Sequence, residues 1–107
     1  MTLADFRRDL VAAIEMYFPH AKWNLSERRG IELQARLEID ARRFISIYHS
    51  AATDKTSYAL IENGARIFGY DNSRFWHCHP IENPTQHHAC SEPTSRQVMR
   101  EMKELLE

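Results

Sequence analysis

His77-Cys78-His79 sets two imidazoles two residues apart. In an extended segment that spacing puts both rings on one side, about 7 Å apart along the chain. Two histidines on one face suit a metal ion, or a pair that divides acid and base roles at one substrate. Four of the six His and both Cys fall between His77 and Cys90. His77, His79, His87, His88 and Cys90 are therefore the candidate ligands should a metal bind, with Cys78 a further soft donor and Zn²⁺ the possible occupant. The pattern does not require one, because there is no C-x2-C pair and every donor comes from one stretch. Phe75 and Trp76 beside the histidines would wall a pocket or stack a base. A solvated His-rich loop is the plainer alternative.

Tyr70-Asp71-Asn72 leads into this stretch. Asp71 and Asn72 are good turn formers. A carboxylate at Asp71 would also fix the tautomer of a nearby histidine and raise its basicity, and Tyr70 would bring a phenol. Eleven of the fourteen basic residues are Arg, whose planar fork matches phosphate. Arg36, Arg42, Arg43, Arg66 and Arg74 lie in or beside predicted strands. The formal charge of -1 argues against diffuse polyanion binding and leaves room for a small local phosphate site. With three Gly no phosphate loop exists, and no G-x-S-x-G, H-E-x-x-H or EF-hand pattern occurs.

These residues need elements to hold them. The 107 residues suffice for one domain, 1–107, with one ordinary core. Residues 2–18 predict an amphipathic helix: Phe6, Leu10, Ile14 and Tyr17 recur at helical spacing, Thr2 and Asp5 offer a capping box, and Pro19 stops the run. Residues 19–30 read as a connector. Ile31 to Asp40 alternates apolar and polar without a fault, which is a strand with one buried face. Phe44–His49, Ser57–Glu62 and Ala65–Tyr70 predict three more. Asn63-Gly64 is the preferred type I′ hairpin turn, with Leu60 facing Ile67 and Ala59 facing Phe68. Residues 71–93 read as a His-rich loop interrupted by Pro80, Pro84 and Pro93. Residues 94–107 predict a second helix, with Thr94 and Gln97 as a capping box and Val98, Met102 and Leu105 as its apolar stripe. The expected fold is α+β: a four-stranded antiparallel meander (31–70) flanked by an N-terminal and a C-terminal helix.

Arg66-Ile67-Phe68-Gly69-Tyr70-Asp71-Asn72, followed by His77-Cys78-His79 and the helix starting Thr94-Ser95-Arg96-Gln97-Val98-Met99, resembles the TumE-like family, the toxins of prokaryotic toxin–antitoxin pairs. The resemblance covers about residues 56–107. Tyr70, Asp71, Asn72, His77 and His79 are the positions it marks. The α-β4-α order is also similar to the compact RelE/ParE architecture, a likeness of fold alone. The resemblance implies a toxin, an antitoxin protein as partner and RNA as a target. The corresponding expectation is an endoribonuclease-like enzyme working without metal. His77 and His79, assisted by Tyr70 and Asp71, would serve as general acid and base. Arg66, Arg74, Asn72 and Trp76 would bind substrate. The alternative expectation is a non-catalytic module that binds zinc or a protein partner through the His/Cys-rich loop. An open sheet edge would also suit a homodimer. No apolar run is long enough to span a bilayer, and the charged start has no signal-peptide pattern, so a cytoplasmic protein without membrane contact is expected.

Overall fold

The computed structural model describes residues 1–107. It is an α+β fold, with two helices and one antiparallel sheet. The sheet has seven strands, not the expected four, and runs as a meander in chain order. The elements are α1 (Leu3–Tyr17), β1 (Lys22–Arg28), β2 (Glu32–Glu38), β3 (Arg43–Ser50), β4 (Thr56–Glu62), β5 (Ala65–Asp71), β6 (His77–His79), β7 (His88–Ala89) and α2 (Ser95–Leu106). No helix is long and apolar enough to cross a membrane.

The expected connector 19–30 contains β1. It pairs along its whole length with β2, from Lys22 opposite Glu38 to Arg28 opposite Glu32. Only Trp23 and Leu25 lean toward the core. The remaining positions are polar because this is an edge strand, where Lys22, Glu27 and Arg28 discourage pairing with another chain. The turn into β2 puts Arg29 and Gly30 at φ 56 and 66, as a type I′ hairpin requires. A non-glycine at the first of those positions hid the turn.

The second correction lies in the expected loop 71–93, which contributes β6 and β7. Gly69, Tyr70 and Asp71 of β5 pair with His79, Cys78 and His77 of β6, and His77 and Cys78 then pair with Ala89 and His88. The third concerns the β4–β5 hairpin. Asn63 and Gly64 have φ 51 and 80, as the type I′ turn demands. A bulge after Ile61 then shifts the ladder, so that Leu60 faces Phe68 and Ala59 faces Gly69.

Both helices cover one face of the sheet. Leu33, Ala35, Leu37, Ile45, Ile47, Tyr58 and Leu60 of that face are buried against Phe6, Leu10 and Ile14 of α1 and against Val98, Met99 and Met102 of α2. Met99 takes the place expected of Leu105, which is 37% exposed. Thr2 and Asp5 form the reciprocal capping box on α1. On α2 only half of that device forms. The Thr94 hydroxyl accepts from the Gln97 amide, while the Gln97 side chain turns to Tyr70 and Glu101. The other face of the sheet carries no helix, and there Arg36 and Glu38 are exposed.

Candidate metal centre

The site sits on the helix-free face at the β5–β6 end of the sheet. Residues that face each other across an antiparallel pair point to the same side. Asp71 and His77 are such a pair, and His79, two residues on, shares their side. The turn at 80–87, set by Pro80 and closed by Asn83 N–H to Pro80 O (3.2 Å) and Gln86 N–H to Asn83 O (3.0 Å), folds His87 back over the two rings. The His77, His79 and His87 ring centroids lie 4.5–5.2 Å apart. One nitrogen from each ring falls within 4.8 Å of the others. His77 and His79 are buried, while His87 is exposed.

Ring tautomers follow from the partners. His77 Nδ1 lies 3.1 Å from the Phe75 carbonyl oxygen and His79 Nδ1 lies 2.9 Å from that of Pro84. A carbonyl only accepts, so both Nδ1 atoms carry hydrogen. In a neutral ring the lone pair is then on Nε2, the arrangement that holds an imidazole ready for a metal. Both Nε2 atoms face the Asp71 carboxylate, at 2.8 Å for His77 and 3.1 Å for His79. The His79 contact has hydrogen-bond geometry. The His77 contact is close enough for a charge interaction but lacks that geometry, so His77 Nε2 has no hydrogen-bond partner. With Nδ1–H already given to Pro84 O, His79 Nε2 donates to this carboxylate through a second ring proton, and a cation bound between the rings would take that proton's place.

Asp71 is held as a carboxylate. Burial pushes its pKa up. Hydrogen bonds from the Ser73 hydroxyl, His79 and the Ser73 amide, with His77 alongside, outweigh this and leave it below the usual value. Arg66 Nη1 stands 3.4 Å from Asp71 Oδ2. His87 is shifted down, first by desolvation and then by repulsion from His79 and His77, so its neutral, metal-binding form is favoured.

The structure thus brings together Asp71, His77, His79, His87 and Arg66. Other expected residues lie elsewhere. Tyr70 points to the helix-covered face and donates to Glu101 at 2.6 Å. Burial and the Glu101 carboxylate push its phenol well above the ordinary range. Asn72 is an architectural residue: its Oδ1 accepts from Thr56 N–H and its Nδ2 donates to Asp54 O. The Trp76 indole donates to Glu92 at 3.1 Å, on the helix side. Arg74 is exposed. His88 is also exposed and bonds Gln86. Cys90 lies beside Cys78, and burial and that second thiol raise it to about 11. Asp71 was legible as a residue that orients a histidine; its place as a carboxylate facing two rings at once was not. Comparison with protein families, characterised proteins and solved structures finds no match.

Proposed function

We propose that this chain binds one divalent transition ion of the Zn²⁺ class through Nε2 of His77 and His79, a nitrogen of His87 and the carboxylate of Asp71. The observation that carries the reading is the three ring nitrogens of His77, His79 and His87 within 4.8 Å of one another beside the Asp71 carboxylate, with Nδ1 of both buried rings tied to backbone carbonyls so that Nε2 is the atom left for an ion. Three imidazoles and one carboxylate suit Zn²⁺ and its neighbours. At a Zn–N distance of about 2.1 Å a tetrahedral N···N edge is roughly 3.4 Å. The rings therefore close slightly on binding, and His87, on an exposed turn, is the one free to move. The ion would tie the 80–87 turn to the sheet, which little apolar contact does.

Elemental analysis of untagged protein tests this. One ion per chain is expected, lost in the His77→Ala/His79→Ala variant. A folded wild-type chain that takes up neither Zn²⁺ nor Co²⁺ overturns it.

A second reading keeps the toxin expectation: a TumE-like protein that arrests growth by cutting RNA, with His77 and His79 as acid and base and Arg66 stabilising charge on phosphorus. The position of Arg66 beside the histidine–aspartate set supports it. It predicts growth arrest on expression, abolished by His77→Ala/His79→Ala, and RNA cleavage that persists in EDTA. An EDTA-insensitive ribonuclease that needs both histidines would favour this reading over a metal centre.

A further inference from the structure

A separate cavity of about 120 Å³ opens on the helix-covered face. It lies between the first turns of α1 and α2 and the ends of β3 and β4. His49, Tyr58 and Trp76 line it, with the acidic residues Asp9, Asp54 and Glu92. No Lys or Arg does.

His49 is the unexplained group. It is 3% exposed. Its ring stacks on Phe6 at 4.3 Å and 11°, and its Nδ1 sits 2.8 Å from Thr56 Oγ1. Its Nε2 has no hydrogen-bond partner in the protein. A buried ring nitrogen in this state is costly unless something else bonds it. The walls say what that something is. Asp54 has no ion-pair partner among the side chains. Glu92 accepts from Trp76 Nε1, and Asp9 is within 3.5 Å of Arg8. An anion is a poor match despite the nearby helix starts. The Thr2–Asp5 box and the Thr94 hydroxyl already take first-turn amides, and the carboxylates repel negative charge.

We propose that this cavity binds a small organic cation with N–H donors, of the guanidinium or primary-ammonium class. One N–H donates to His49 Nε2, with Nδ1–H then directed to Thr56. The charge is balanced by Asp54 and Glu92, and the Trp76 ring offers a cation–π surface. An apolar cavity of about 150 Å³ admits benzene, so a ligand of methylguanidinium size fits here. The site is independent of the metal centre, which lies on the opposite face of the sheet.

Methylguanidinium chloride titrated into the full chain at constant ionic strength tests the proposal, followed by the NMR signals of the His49 ring nitrogens and the Trp76 indole. Saturable shifts of both are expected. His49→Phe keeps the stacked ring and removes Nε2, and should weaken binding by about tenfold. Asp54→Asn should weaken it less, leaving the fold unchanged. His77→Ala should leave it unaffected. Shifts that never saturate, equal affinity in His49→Phe, a bound water that the cation does not displace, or binding of inorganic phosphate in place of the cation would each overturn it.

Discussion

Strands β2 to β4 and strands β6 and β7 belong to one sheet but are held by different forces. The first group is long, and its buried face is apolar: Leu33, Leu37, Ile45 and Leu60 are all 0% exposed. The second group has five residues in two strands, His77–His79 and His88–Ala89. Its buried groups are two imidazoles facing a carboxylate, with a backbone bond from Cys90 N–H to Trp76 O at 3.0 Å. Apolar burial is insensitive to pH and to metal. A polar cluster responds to both. The part of the sheet least able to stabilise itself is therefore the part whose stability a ligand or a proton can set.

The contrast is broken most directly from its strong side. Leu37→Ala removes a fully buried side chain at the middle of the core and should cost about 2–5 kcal/mol of global stability. Denaturant unfolding measures it. The loss should reach every strand at once; survival of β2–β4 with selective loss of β6 would show that the two regions do not differ in this way.

Asp71→Ala acts from the weak side. It leaves the buried His79 ring without its acceptor and His77 without its charge partner, a penalty of about 1–3 kcal/mol. The effect should be local, with amide exchange accelerated at residues 77–79 and 88–89 and unchanged in β2. Uniform acceleration across the sheet would place Asp71 in the common core instead.

The smallest effect is that of pH. A histidine whose folded pKa lies below its unfolded value of 6.5 contributes stability that is complete above 6.5 and is lost as pH falls through the folded value. His87 does this in the polar region. His49, depressed first by burial, does it on the helix side. Asp71, lowered from 3.8, acts by the same rule further down, with its contribution lost only as pH falls below that value. Exchange corrected for its intrinsic rate should therefore rise between pH 7.5 and 5.5 around His87 and His49, and not around the Leu37–Ile45 pair at the other end of β2 and β3. His49→Gln should remove the helix-side part alone.

What the sequence made readable follows the same division. Where one apolar period ran on, as in Glu32–Glu38 or along Phe6, Leu10 and Ile14, burial produced the element that the period announced. The Asn63-Gly64 turn was equally plain, because few residue pairs accept two positive φ values. β1 was missed because an edge strand needs little apolar content. β6 and β7 were missed because they are short and their pairing is fixed by neighbours rather than by their own residues. At the site, the His77/His79 face and the orienting role of Asp71 were both visible. His87 was one of several possible donors, and only the path of the 80–87 turn separates it from His88. The bond of Tyr70 to Glu101 on the helix-covered face depends on α2, 31 residues away, and no local pattern could show it.

The bulge at Ile67 has a reach beyond its own hairpin. In an unbroken strand, residues 66 and 71 are an odd number of steps apart and would show their side chains on opposite sides. One inserted residue makes the count even. Arg66 thereby comes out beside Asp71, on the surface that carries the histidines. The local charge of the site is thus decided by parity, one extra backbone unit placed upstream. Deleting Ile67 would leave that count even; inserting one residue in β4 opposite it, between Leu60 and Ile61, would instead straighten the ladder with Ile67 in it and send the guanidinium to the other side, with every site residue still present in the chain.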